Sequence, residues 1–330
     1  MTKIFVIGAG AWGTALAQIY ATSGHDVTLW ARESNLVQTM RDSRANTKYL
    51  PDITLHPSLK FSDVLSDIKH SDVILNVTPA QYLREITRNI SSTLTGHQPV
   101  VICAKGIEIE SRSLLSDVVM AHAPNTPLAF LSGPNFASEI AKGLPSASTL
   151  ACTNVELGAK LQSMLTSSSL RLYLSQDIIG VQIAGAVKNV IAIACGIAHG
   201  LHLGESARAA LVTRGLAEIA RLTTALGGQR DTLMGQCGVG DLMLTCSSMK
   251  SRNFSCGVEL AHGKNMNEII ASRHSVTEGI STAKAAKFLA DNNNLDMPIV
   301  EAVYHCLYSN LPVQEAVTSI LSRPARQEGE

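Results

Sequence analysis

Lys3 to Ile7 is a short run of β type, and Gly8-Ala9-Gly10-Ala11-Trp12-Gly13 follows it directly. Thr14 to Ser23 then shows apolar residues at helical spacing. A Gly-x-Gly-x-x-Gly placed between a strand and a helix leaves few folds open. Gly8 permits the tight turn, Gly10 lets the backbone approach a pyrophosphate, and Gly13 lets helix and strand pack closely. The helix N-terminus offers unpaired N–H groups to the phosphates. The stretch therefore reads as the start of a dinucleotide-binding unit. Lys3, the apolar run and Ala15-Leu16-Ala17 imitate a secretory signal, but the same residues make a better strand, turn and helix.

Asp26 to Trp30 reads as a second strand whose end faces the adenosine ribose. A carboxylate there would bind the 2′-hydroxyl of NAD. The chain offers Arg32, whose guanidinium fork suits a 2′-phosphate, with Glu33 beside it. NADP(H) is favoured, NAD(H) stays open, and a solvated loop arginine is the plain alternative. Strand runs recur at Val73–Val77, Val100–Ala104, Leu128–Leu131, Ala147–Cys152 and Leu170–Leu174. Helical stretches at 34–43, 81–90, 111–121, 136–141 and 155–165 lie between them. That alternation predicts a doubly wound, largely parallel sheet over residues 1–176, with ligands beyond the carboxyl ends of its strands. Lys105 and Gly133 sit at such ends and are expected to line one crevice, Lys105 as a substrate or phosphate contact.

From Asp177 strand signals stop, and helical patterns continue to residue 323. An all-α domain over 177–323 is expected, with a tail over 324–330. Its first helix, Asp177 to Gly200, is apolar and holds one cation, Lys188, beside Ala184, Gly185 and Ala192. Gln182, Lys188 and Asn189 argue against a membrane span, since each is costly in lipid. An amine walled by apolar groups loses hydration, and its pKa falls from about 10.4 toward working pH. Lys188 is thus a candidate proton donor and acceptor; a snorkelling surface lysine or a structural ion pair are the plain alternatives. Asp241, in Gly238-Val239-Gly240-Asp241, is either an N-cap or a carboxylate orienting Lys188 or a substrate hydroxyl. Ser251-Arg252-Asn253 is either a capped surface helix or an anion seat. His199 and His202 lack the spacing of a metal pair, and no metal is expected.

Lys plus Arg and Asp plus Glu number 27 each, so no basic excess points to nucleic acid. Seven scattered cysteines without a Cys-x-x-Cys pair argue against a disulfide framework or a zinc site and fit a reducing cytoplasm.

Together these pieces resemble bacterial NAD(P)-dependent glycerol-3-phosphate dehydrogenase over nearly the whole chain. The resemblance rests on Gly8 to Thr14, Tyr49-Leu50-Pro51, Lys105-Gly106, Ser132 to Ala137, Gly185 to Val190, Gly238 to Leu242 and Ser251-Arg252-Asn253. It implies a Rossmann-type sheet domain, an all-α C-terminal domain, and reduction of dihydroxyacetone phosphate to sn-glycerol 3-phosphate for phospholipid synthesis. It implies Lys188 as proton acceptor and donor, with Lys105, Gly133, Asn135, Asp241, Ser251, Arg252 and Asn253 on the substrate. Gly8, Gly10 and Gly13 hold the cofactor by the motif itself. The resemblance adds Ala11, Trp12, Arg32, Tyr49, Lys105, Ala137, Arg252, Val276 and Glu278. Ala11 stands where serine is common, and Asn135 where threonine or serine is, so Asn135 is expected to act through its backbone. A homodimer is a further expectation. Two other readings stand beside this one: a two-domain hydroxy-acid dehydrogenase, and a non-catalytic NADP(H)-binding sensor.

Overall fold

The computed structural model describes residues 1–273, 275–324 and 327. Two compact units form, one from residues 1–104 and 115–178, the other from 105–114 and 179–330. The expected boundary at 176 left the 105–114 segment in the first unit; the structure assigns it to the second. Most of the expected tail over 324–330 lies outside the described residues.

The first unit opens with β1 (Lys3–Ile7), α1 (Ala11–Thr22), β2 (Asp26–Trp30) and α2 (Ser34–Ser43). A hairpin of β3 (Ala45–Asn46) and β4 (Leu50–Thr54) follows, then β5 (Lys60–Ser62), β6 (Val73–Asn76), α3 (Leu83–Ser91) and β7 (Val100–Ile102). It closes with α4 (Leu115–Met120), β8 (Leu128–Ser132), α5 (Ala137–Ala141), β9 (Ser146–Ala151), α6 (Val155–Leu165) and β10 (Leu170–Ser175).

Eight strands form one sheet in the order β5-β2-β1-β6-β7-β8-β9-β10. Pairing is parallel except between β8 and β9. β1 and β6 are almost wholly buried, as strands covered on both faces must be, and this is why they read as unbroken apolar runs. The chain leaves β1 for β2 on one side and returns as β6 on the other. Ile7 pairs with both Trp30 and Asn76, so the three carboxyl ends align where the winding reverses. Ligands of such sheets bind at that point. β5 and the hairpin were not expected: β3 and β5, of two and three residues, carry no readable alternation, and β4 reads Leu-Pro-Asp-Ile-Thr with Pro and Asp interrupting it.

The second unit holds α7 (Ile178–Gly200), α8 (Glu205–Ala225), α9 (Asp241–Cys246) and α10 (Arg252–Ala261). α11 (Met266–Ala271), α12 (Glu278–Asn292), α13 (Pro298–Tyr308) and α14 (Val313–Leu321) complete it. α7 is long and apolar enough to cross a membrane, but 94% of that window is buried inside the protein. Residues 180–198 are buried without a break, the mark of a central core helix. Each large aliphatic side chain hidden this way contributes roughly 1.5–3 kcal/mol. Glycines let neighbours come close. A Cβ on Gly196 would stand 2.0 Å from the Phe254 carbonyl oxygen, and one on Gly257 2.0 Å from that of Ile193. This contact lays α10 directly on α7. Pro298 opens α13, whose Ile299 and Val300 N–H groups donate to buried Glu218 of α8 at 2.7 and 3.1 Å.

Candidate active site

The glycine loop of the first unit fits a dinucleotide. Gly8 has φ +109°, a left-handed conformation that side chains resist. A Cβ on Gly13 would fall 1.9 Å from the Gly8 carbonyl oxygen, so the turn of α1 closes only with glycine there. At Gly10 a Cβ would meet nothing within 4 Å, leaving room for a phosphate. Gly10 is also the N-cap of α1, and no side chain caps the free N–H groups of that first turn. Arg32 lies just past β2 with its side chain 70% exposed, 3.9 Å from Glu33. Ala11, Trp12, Tyr49 and Ala137 are each partly buried against the core of the sheet unit. Gly133 follows β8, and a Cβ on it would stand 2.7 Å from the Ser148 Cα. The Asn135 amide donates to the Ser148 hydroxyl at 2.6 Å and accepts from that of Ser146. These two bonds fix the orientation of the Asn135 side chain.

The second unit holds a charged centre built from three segments. Lys188 is 5% exposed, which removes the surface-lysine reading. Its Nζ lies 2.8 Å from Asp241 Oδ1 and donates to Thr245 Oγ1 at 2.6 Å. Thr245 donates in turn to Asp241 Oδ1 at 3.2 Å. The other Asp241 oxygen, Oδ2, accepts from Lys105 Nζ at 2.6 Å. Asp241 is therefore no N-cap: Gly240 holds that position, and the carboxylate serves two lysines. Burial pushes the Lys188 amine down, the Asp241 carboxylate pulls it up, and the Lys105 charge pushes it down again. Desolvation wins, and the amine settles at about 8. Such an amine both gives and takes a proton near neutral pH.

A second chain of amides frames this centre. Asn189 donates to the Lys105 carbonyl at 3.4 Å and accepts from Asn253 at 2.8 Å. Asn253 Oδ1 accepts from the Gly279 N–H at 2.9 Å, where α12 begins. The Asn253 amide thus ties α7, α10 and α12 together. Ser251 caps α10 through its hydroxyl, which accepts from the Phe254 N–H at 3.2 Å. Arg252, at the start of that helix, is exposed. The capped-helix reading of this triplet holds as to the cap. Arg273 holds the loop before α12 in place, donating to the Arg252 carbonyl at 2.5 Å, Thr277 at 3.0 Å and Glu259 at 2.6 Å. Val276 on that loop is exposed, and Glu278 opens α12. Among the described residues no group of His, Cys, Asp and Glu could hold a metal ion, and His199 instead packs on Phe254.

Sequence reasoning missed Thr245, Asn189 and Arg273. Thr245 stands four residues after Asp241 and so on the same helical face, a signal that was available. Asn189 follows Lys188 directly. Arg273 carries no local signal, because its partners come from α10 and from the loop itself.

Family models cover both halves of this chain. Residues 3–158 match the model described as NAD-dependent glycerol-3-phosphate dehydrogenase N-terminus, and residues 177–318 match its C-terminus counterpart. The chain belongs to the NAD-dependent glycerol-3-phosphate dehydrogenase family. A relative named glycerol-3-phosphate dehydrogenase, NAD(P)+, from Parvibaculum lavamentivorans is 47% identical over 99% of this chain and 98% of its own. One of the same name from Caulobacter vibrioides is 45% identical over the same shares. The crystal structure of glycerol-3-phosphate dehydrogenase from Coxiella burnetii superposes with a TM-score of 0.94 at 36% identity, covering 98% of this chain and 99% of that one. D-mandelate dehydrogenase, at 17% identity and a TM-score of 0.64, shares the fold alone. The family's dinucleotide suits the open, uncapped glycine loop described above.

Proposed function

We propose that this enzyme reduces dihydroxyacetone phosphate to sn-glycerol 3-phosphate with NAD(P)H, reversibly, and so feeds glycerophospholipid synthesis. The observation that carries the reading is the Lys188 amine, buried between Asp241 and Thr245 and poised at about 8. A binding-only sensor would have no use for a desolvated lysine. When bound, the reduced dinucleotide supplies the hydride for the ketone carbon. Lys188 then stabilises the negative charge growing on the carbonyl oxygen and protonates it. In the reverse direction the neutral amine takes the hydroxyl proton. Asp241 fixes the amine's position, and Lys105 keeps that carboxylate from holding Lys188 too strongly in its charged form.

Arg252, with Ser251, Asn253 and the free N–H groups at the start of α10, is our choice for the phosphate seat, remote from the reacting carbon. Gly133 and Asn135 would add backbone contacts to the substrate. Gly8, Gly10, Ala11, Trp12 and Gly13 would hold the pyrophosphate, and Arg32 the 2′-phosphate of NADP(H). Tyr49, Lys105, Ala137, Arg252, Val276 and Glu278 would complete the cofactor site. All seven cysteines are free thiols, which suits a cytoplasmic enzyme. We take it to act as a homodimer, which sedimentation equilibrium tests.

Oxidation of NADPH and of NADH, followed by near-ultraviolet absorbance, tests the reading. Consumption with dihydroxyacetone phosphate and none with unphosphorylated keto acids is expected. Turnover of a keto acid alone would favour a hydroxy-acid dehydrogenase, and no turnover of any triose phosphate would favour a sensor.

A further inference from the structure

A pocket of about 460 Å³ opens in the helical unit, apart from the residues of the Lys188 centre. Ile109 and Arg112 of the 105–114 segment, Phe288 of α12, and Tyr304 and His305 of α13 line it. Its charges fall into two groups. Lys287 is already neutralised, 2.6 Å from Asp291 and 3.6 Å from Glu301, and His305 lies 3.9 Å from the same Glu301. Arg112 and Lys284 are not. Both are exposed, and each rests on an aromatic face. The Arg112 guanidinium is 3.6 Å from the Phe288 ring centre and the Lys284 ammonium 5.7 Å from that of Tyr308. Among the described residues neither cation has a carboxylate within ion-pair distance.

The backbone contributes to this arrangement. Arg112 has φ 60°, a left-handed conformation uncommon outside glycine. The loop closes on itself through the Glu108 N–H, which donates to the Ser113 carbonyl at 3.2 Å, and through the Ser111 hydroxyl on Glu108. That closure holds the turn that carries Arg112 over the ring. Stacked guanidinium groups keep their in-plane N–H donors free for an anion.

We infer that this pocket is a second ligand site, for a small organic anion with a flat apolar body. Arg112 and Lys284 take the acid group, and Phe288 and Tyr304 take the body. A neutral ligand of the same shape leaves both cations unused. An inorganic anion leaves the rings unused.

Titration calorimetry on the full chain, saturated with NADPH to fill the dinucleotide site, tests this. The probe is 2-naphthalenesulfonate, with 2-naphthol and inorganic sulfate as controls. Asparagine tolerates the left-handed backbone, so Arg112→Asn removes the cation and keeps the turn. We expect the sulfonate to bind and Arg112→Asn to weaken it by about tenfold or more. Lys284→Gln should weaken it by a smaller factor, and both controls should bind at least about tenfold less tightly. Both variants should keep the parent melting temperature and rate of NADPH oxidation. Absence of sulfonate binding at millimolar concentration, equal binding of 2-naphthol, or affinity unchanged in both variants would each overturn the assignment.

Discussion

In the sheet unit the buried polar side chains are neutral, among them Thr14, Asn46, Asn76, Ser132 and Ser148, with Asp177 at its end the exception. The helical unit instead buries Glu108, Lys188, Glu218 and Asp241. For Lys188 and Asp241 the contrast follows from what each part does. A glycine loop binds phosphate through backbone N–H groups and needs only space. A proton-transfer centre needs a charge taken out of water, and such a charge survives only with partners. One site should therefore fail by steric collision, the other by loss of a single amine.

The largest effect should come from Lys188→Ala. Turnover should fall by about 10³-fold or more, while NADPH titration shows near-parental affinity. Near-parental turnover would erase the distinction between the two units. Next come two substitutions in the loop. Gly13→Ala places a Cβ 1.9 Å from a carbonyl oxygen and should cost about 1–3 kcal/mol of stability as well as cofactor affinity. Gly10→Ala meets nothing within 4 Å and should weaken NADPH binding with no change in melting temperature. Equal melting temperatures for the two would contradict the steric account. Arg252→Ala should chiefly raise KM for dihydroxyacetone phosphate, by about tenfold or more, with a smaller loss of kcat.

A further effect concerns stability and not catalysis. Burial raises the Glu218 carboxyl from 4.5 to about 7, against the Ile299 and Val300 N–H groups that pull it down. Between those values the folded state binds a proton that the unfolded chain lacks. The resulting stabilisation is fully present below 4.5 and is lost as pH rises through about 7. Its size is on the order of 3 kcal/mol. Glu218→Gln should flatten this part of the pH–stability curve measured by urea unfolding, and an unchanged slope would remove Glu218 as its source.

How much the sequence disclosed differs between the units for the same reason. The glycine loop is a run of neighbours, so its spacing states its purpose. The Lys188 helix is legible because a cation within so many apolar residues demands an explanation. Asp241 was ambiguous, since an acid at a helix start looks alike whether it caps or pairs. What decides is Lys105, 136 residues away in the chain, and no local pattern carries such a distance. The same ion pair explains why the 105–114 segment joins the helical unit although it follows a sheet strand. Asn253, expected as a substrate contact, also bonds Asn189 and Gly279, a role set by the packing of three helices that no local pattern shows.

The proton belongs to Lys188 in this account, and the pH dependence of glycerol 3-phosphate oxidation tests that most directly. Oxidation needs the neutral amine, so kcat/KM should climb as pH rises and level off above an apparent pKa of about 8. Reduction of dihydroxyacetone phosphate should show the opposite limb. An oxidation rate that is flat across this range, or that falls as Lys188 loses its proton, would contradict the assignment.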